Sequence, residues 1–267
     1  MSLKNKKSNI WIGTSGYNYD HWQSVFYPEN LAQKKWLEFY TKHFKTVELN
    51  VTFYRLPQES AFHGWHCRTP KDFLFVCKGS RFISHIKKLR GVKQAVDLFF
   101  ARAKLLKEKL KVVLWQFPPN FKLKQKTKDQ KSKIQIKNKK IEKLKMFENF
   151  LRLLKKYKIR QAFEFRDESW FCEEIFYLLK KYNYALVLAD SPRYPLAEKI
   201  TADFVYVRFH GSKALFSSNY TKSELQNWAK KIKKWQKQKL DIYCYFNNDA
   251  QGYAVKNAKE LARILNV

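Results

Sequence analysis

Three apolar runs in this sequence end in groups that could do chemistry together. Glu48 and Asn50 close the run Thr46–Asn50, and Glu164 and Arg166 close Ala162–Arg166. Tyr206, Arg208 and His210 share one side of Phe204–His210. In an extended chain residues two apart point the same way, so each set presents its groups together. Other runs end in single polar positions: Thr14 and Ser15, Lys78, Gln116, Asp190, and Asn247 followed by Asn248 and Asp249. Glu48, Glu164 and His210 are the candidates for proton transfer. Arg166, Arg208, Lys78 and His210 are candidates for holding an anion, the arginines through paired hydrogen bonds. An acid beside two arginines stays ionised, which suits Glu164 to the role of base. Glu164 and Arg166 are therefore expected to be functional before they are structural. On that expectation Glu164→Gln and Arg208→Met abolish ligand binding and leave stability almost unchanged. The competing expectation is a self-satisfied network of Glu48, Glu164, Arg166 and Arg208 that merely closes the molecule.

Metal and nucleophile chemistry find less support. Of six histidines, His43, His63 and His66 read as helical, which leaves His210, His85 and His21 to reach a common site. A multi-metal centre needs more ligands than these. No cofactor is predicted; a single divalent ion on Glu48, Glu164 or Asp190 is the weakly supported exception. Ser15 lies in Gly13-Thr14-Ser15-Gly16, which is not a GxSxG elbow. That turn reads better as a glycine-flanked strand end whose hydroxyls and N–H groups meet a ligand oxygen. Cys67, Cys77, Cys172 and Cys244 are far apart without CxxC spacing, as expected of thiols in a reducing cytoplasm.

The elements that must position these groups alternate along the chain. Strand-like runs cover Ile10–Thr14, Thr46–Asn50, Phe73–Lys78, Lys111–Gln116, Ala162–Arg166, Ala185–Asp190, Phe204–His210 and Ile242–Asn247. Each is short and apolar, β-branched or aromatic, as in a parallel sheet covered on both faces. Amphipathic stretches lie between them, at Leu31–His43, Lys93–Leu110, Ile141–Tyr157 and Thr221–Lys237, with a last helix marked by Ala254, Ala258, Leu261 and Leu265. Thr221 and Glu224 form an S/T-x-x-E capping box. Ser191–Ala202 carries two prolines and is too short for a full helix. Eight strands in 267 residues predict a (β/α)8 TIM-type barrel with a weak or missing helix after strand six. The alternative, an open doubly wound sheet, would normally carry a GxGxxG turn that Gly13–Gly16 does not match. In a barrel, all the polar strand ends fall on the C-terminal face, above apolar layers.

Composition bounds the rest. Lys+Arg 54 against Asp+Glu 23 leaves +31, and 43 of the basic residues are Lys. This predicts weak, salt-sensitive affinity for polyanions, whether the lysines are a solvated coat or a nucleic-acid surface. No membrane span is present. Lys122–Lys140 holds nine Lys and one Asp and reads as a flexible insert, dispensable for folding, after strand four.

The motifs then resemble a known family. Gly13-Thr14-Ser15-Gly16-Tyr17 with Trp22 and Phe26-Tyr27-Pro28, Thr46–Asn50 with Thr52–Pro57, and Trp115-Gln116-Phe117-Pro118-Pro119 are similar to the YecE-like proteins, domain of unknown function 72. So are Glu164-Phe165-Arg166 with Ser169-Trp170-Phe171, Val205–Gly211, and Tyr245-Phe246-Asn247-Asn248-Asp249. Ser84-His85 departs mildly from an expected Thr-His, and the lysine-rich insert has no counterpart in the pattern. The resemblance implies a single TIM-barrel-like domain over 1–267 and no particular reaction.

The expected site is a ligand pocket at the barrel mouth, with Glu164, Glu48 and His210 catalytic. Ligand binding falls to Thr14, Ser15, Asn50, Tyr54, Lys78, His85, Gln116, Arg166, Asp190, Arg208, Asn247 and Asp249. Interleaved aromatics suit a ring-bearing, anionic or polyhydroxylated ligand. The expected function is a cytoplasmic enzyme of hydrolase or lyase type acting on an anionic, phosphorylated or nucleic-acid-derived molecule. The alternatives are a nucleic-acid-binding barrel without turnover and a scaffold whose polar top is structural.

Overall fold

The structure, a computed structural model, describes residues 8–124 and 130–267. Its strands are β1 (Ile10–Thr14), β2 (Thr46–Leu49), β3 (Leu74–Lys78), β4 (Leu110–Gln116), β5 (Arg160–Glu164), β6 (Ala185–Asp190), β7 (Phe204–Phe209) and β8 (Asp241–Phe246). All pair in parallel, in the order β1-β8-β7-β6-β5-β4-β3-β2. The remaining seam, β1 against β2, is joined by a bridge between Ser15 and Glu48, where the Gly16 N–H donates to the Glu48 carbonyl at 2.8 Å. The result is a nearly closed (β/α)8 barrel, as the run count predicts. Gly13 permits the seam: a Cβ there would lie 2.3 Å from the Thr46 carbonyl oxygen.

Alternation sorts the strand residues into two apolar volumes. Val76, Val112, Leu114, Ala162, Val187, Tyr206, Tyr243 and Tyr245 fill the barrel interior. Their neighbours Phe75, Cys77, Val113, Trp115, Phe163 and Val207 face outward into the larger core beneath the helices. Burial on both faces is why the strands read as continuous apolar runs.

The helices are α1 (Trp36–Thr41), α2 (Val51–Tyr54), α3 (Glu59–Cys67), α4 (Lys93–Ala103), α5 (Gln130–Lys155), α6 (Glu173–Tyr182), α7 (Lys222–Lys237) and α8 (Tyr253–Leu265). The capping box forms: Glu224 donates its N–H to the Thr221 hydroxyl and accepts the Thr221 N–H at 2.7 Å. Between β6 and β7 the described residues contain no helix, as Pro192 and Pro195 predict. None of the described helices is long and apolar enough to cross a membrane.

Three expectations about elements need correction. The helix expected over Leu31–His43 is only α1, Trp36–Thr41, after a 3-10 turn at Gln33–Lys35. The helix expected over Lys93–Leu110 ends at Ala103 and continues as a tighter 3-10 segment, Lys104–Lys109. The helix expected to start at Ile141 starts at Gln130, so part of the lysine-rich insert is helical. Lys and Gln are good helix formers, and extending a helix already anchored by buried Phe147, Phe150, Leu151 and Leu154 needs no new nucleus. Residues 125–129 of the expected flexible insert lie outside the described residues. At its start, Leu123 is buried and donates its N–H to the Ser169 hydroxyl at 2.8 Å.

Candidate functional site

The polar strand ends form two layers at the C-terminal face. The lower layer is sealed. Arg208, from β7, pairs with Glu48 through Nε to Oε2 at 3.0 Å and Nη2 to Oε1 at 2.6 Å. Its Nη1 reaches Glu164 Oε2 at 2.6 Å, and Nη2 also donates to the Ser15 hydroxyl at 3.0 Å. Tyr206 donates to Glu48 Oε2 at 2.6 Å, and Ser15 donates to the other Glu48 oxygen. All these side chains are fully buried.

Electrostatics follow from that geometry. Burial would raise both glutamates, but the Arg208 charge outweighs it and lowers the Glu48 carboxyl. Arg208 and Arg166 together hold the Glu164 carboxyl well below the ordinary range. Burial, reinforced by Arg208, pushes the His210 imidazole down to about 4 despite Glu164. His210 Nδ1 accepts from the Asn247 amide at 3.1 Å, so the proton sits on Nε2. That Nε2 lies 3.7 Å from Glu164, beyond hydrogen-bond distance, and makes no hydrogen bond among the described residues.

The upper layer is open. A cavity of about 780 Å³ is lined by Lys78, Arg81, His85, Gln116 and Arg166, by Asn50, Asn247 and Asp249, and by aromatic Tyr17, Tyr19, Phe53, Tyr54 and Trp65. Arg166 bridges the layers: its Nε donates to Glu164 Oε1 at 2.9 Å, and Tyr194 accepts from Nη1 at 3.2 Å and stacks beneath the guanidinium. Lys78 and Gln116 are the buried polar side chains of the cavity, whereas Tyr54 is 72% exposed at its rim. Burial, with Arg208 and Arg166 nearby, lowers the Lys78 ammonium to about 7 against the pull of Glu48 and Glu164. His85 is lowered to about 4, first by burial and then by Lys78 and Arg166. A polar chain orients it: Gln116 Nε2 lies 3.3 Å from His85 Nε2, and His85 Nδ1 lies 2.9 Å from the Ser84 hydroxyl.

Local sequence explains the placement. Inside the barrel, β3 presents Val76 and then Lys78, β4 presents Leu114 and then Gln116, and β5 presents Ala162 and then Glu164. Thr52, in α2, donates to the Lys78 carbonyl at 2.7 Å and so ties the rim helix to β3. Gly16 turns the chain after β1 at φ +94, a region that disfavours a side chain.

Of the residues expected to bind a ligand, the cavity takes in Asn50, Tyr54, Lys78, His85, Gln116, Arg166, Asn247 and Asp249. It does not take in Glu48, Glu164 or His210, the expected catalytic set, nor Arg208, the expected anion clamp. The reason is mutual: the carboxylates and guanidinium saturate one another below the cavity. Ser15 gives its hydroxyl to Glu48, and Thr14 bonds the Tyr40 hydroxyl at 2.9 Å and the Gly16 carbonyl at 2.6 Å. Asp190 turns away and accepts from Trp228 at 2.8 Å. Glu48, Glu164 and Asp190 therefore do not converge on one ion, and no group of three His, Cys, Asp or Glu placed to hold a metal occurs among the described residues. Sequence reading missed Tyr19 and Tyr194, which sit on loops, and Arg81, which opens the short helical turn Phe82–Ile86. A cation two residues after the Lys78-Gly79 strand end was the available signal for Arg81.

Comparison with known proteins agrees with this geometry in fold. The chain is 27% identical to UPF0759 protein YunF of Bacillus subtilis strain 168, covering 97% of this chain and 95% of that one. It superposes on the crystal structure of a DUF72 family protein, TM1631 of Thermotoga maritima MSB8, with a TM-score of 0.79 at 28% identity, covering 97% and 100% of the two chains. D-psicose 3-epimerase from Clostridium cellulolyticum H10 shares the barrel at 10% identity and a TM-score of 0.51, over 96% and 95% of the chains, a likeness of fold alone. The family model described as "Protein of unknown function DUF72" matches residues 11–267, and the chain belongs to that family.

Proposed function

We propose that this barrel is an enzyme that binds a small anionic molecule in the mouth cavity and transforms it by acid–base chemistry of the hydrolase or lyase type. One observation carries the reading: Lys78, Arg81 and Arg166 line a single cavity with aromatic walls, and Asp249 is the one carboxylate lining it. A concave, largely apolar site with a few convergent polar groups is the usual form of a small-molecule pocket. Three cations against one acid suit a phosphorylated or carboxylated ligand, and the tyrosines, Trp65 and Phe53 suit a ring or sugar face.

In this reading Arg166 and Arg81 hold the anion. Glu164 acts as a positioning residue, because its ionised carboxylate holds the Arg166 guanidinium by Nε. His85 is neutral at pH 7 and is the imidazole within reach of the cavity, which suits it to accept a proton.

The test is a thermal-shift screen of phosphosugars, nucleotides, inorganic phosphate and a short DNA oligonucleotide, on the wild type and on Arg166→Met. A ligand of the native state raises the melting temperature by mass action. The expected result is a rise with one phosphorylated small molecule that Arg166→Met loses. A rise with the oligonucleotide alone, or equal rises in both proteins, would reject the reading.

A further inference from the structure

Lys78 is an anomaly in this cavity. It comes from the end of β3 and is 6% exposed, yet it lines the open layer rather than the sealed one. Among the described residues no hydrogen bond or ion pair involves its amine, which lies over the Phe53 ring, 4.1 Å from the centroid. The neighbouring carboxylates, Glu48 and Glu164, are held by Arg208 and Arg166. A lysine kept for structure alone would be paired, because a buried unpaired ammonium is costly. This one is aimed at the space a ligand would occupy.

We propose that Lys78 is a reactive amine that forms an imine with the carbonyl group of an anionic small molecule held in the cavity. The inference rests on the anion-binding reading above and names the reacting group of that ligand. In the first step the Lys78 lone pair bonds to the carbonyl carbon while the carbonyl π bond breaks toward oxygen. The nitrogen sheds a proton and the oxygen gains one, giving a carbinolamine. The carbinolamine oxygen then takes a second proton, drawn from solvent, and leaves as water. The nitrogen lone pair closes the C=N bond, and the product is a cationic iminium. No oxidant or reductant enters.

The surroundings fit both halves of this step. Desolvated lysines beside other cations make good nucleophiles because more of the amine is neutral. The groups facing Lys78 are Arg208 from β7, Glu48 from β2, Glu164 and Arg166 from and after β5, and His85 from the turn after β3. The two arginines and burial favour the neutral amine. Glu48 and Glu164 favour a cation, and so stabilise the iminium once it exists. With the amine half-neutral at about pH 7, attack should be fast at neutral pH, where exposed lysines, titrating near 10.4, are almost wholly protonated.

Pyridoxal 5′-phosphate, which carries an aldehyde, a ring and a phosphate, is the probe. The full-length protein is treated with one equivalent at a series of pH values, reduced with borohydride, and mapped by peptide mass spectrometry. The expected result is a reduced adduct concentrated at Lys78, with a rate that rises through about pH 7, and protection by inorganic phosphate. Lys78→Met should lose the adduct, and inorganic phosphate should raise the melting temperature of the wild type. Labelling spread over the surface lysines in proportion to exposure would overturn the imine. If phosphate stabilises the wild type and Lys78 stays unlabelled, the anion site stands and the imine falls. If Lys78 is labelled without phosphate protection or phosphate stabilisation, the amine stands and the anion reading falls. If neither occurs, both fall.

Discussion

Arg208 spends its hydrogen-bonding capacity inside the protein. Its guanidinium touches both oxygens of Glu48, one of Glu164 and the Ser15 hydroxyl, and the whole cluster is out of contact with solvent. The residue types alone suggested a clamp for a ligand anion; the distances give the anions as Glu48 and Glu164. The expectation for Arg208→Met therefore reverses. Removing one member of a buried charge set leaves the others uncompensated, which typically costs about 3–5 kcal/mol. Arg208→Met is expected to lose stability of that order, measured by urea unfolding at neutral pH. A loss under about 1 kcal/mol would mean that water or a ligand reaches the carboxylates and that the layer is not sealed. That Glu164 and Arg166, and Arg208 and His210, share a face was legible from their spacing of two residues. Which layer each would join was not, because that depends on how far each strand rises relative to its neighbours.

At the scale of elements, periodicity located every strand to within two residues at its start and end, and the capping box at Thr221 formed as read. Short apolar runs covered on both faces leave little freedom in where a strand begins. α2 and α3 were harder because α2 spans one turn and α3 buries Phe62 as its main anchor. The lysine-rich stretch was harder still, since like charges argue against a helix and Lys propensity argues for one. At its start Leu123 is fully buried and tied to Ser169. The helix residues described beyond it that precede Lys140 are exposed. Replacing residues 125–139 by a Gly/Ser linker is therefore expected to change the melting temperature little, because loop length alone costs little. Leu123→Ala should instead cost about 2–4 kcal/mol by deleting core contacts and leaving a cavity. Differential scanning calorimetry of the two variants checks this. A large loss from the linker variant would mean that the first turns of α5 pack on the barrel.

The whole molecule carries +31 on 267 residues, and this charge acts on partners rather than on the fold. Weak, sequence-independent binding to DNA is expected, with affinity falling steeply as salt rises, because each phosphate neutralised releases counterions. Fluorescence anisotropy with two unrelated duplexes at rising salt checks it. The linker variant lacks six of the nine lysines in 122–140 and should show a shallower slope. Selective binding that persists at high salt would instead make nucleic acid the specific ligand. The sequence by itself determined the barrel, since eight alternations of short apolar runs and amphipathic stretches have few compact solutions. It also determined that charged residues crown the strands, because side-chain alternation is a local property of extended backbone. What only the tertiary structure decided is which of those residues face one another and which face open space. Strand stagger and closure at Gly13 bring Glu48, Arg208 and Glu164 within hydrogen-bond distance, so these neutralise each other below the surface. The same stagger leaves Lys78 above them, lining the open cavity without a hydrogen-bond or ion-pair partner among the described residues. Such pairings join residues from 44 to 160 positions apart, and no local spacing in the chain encodes them.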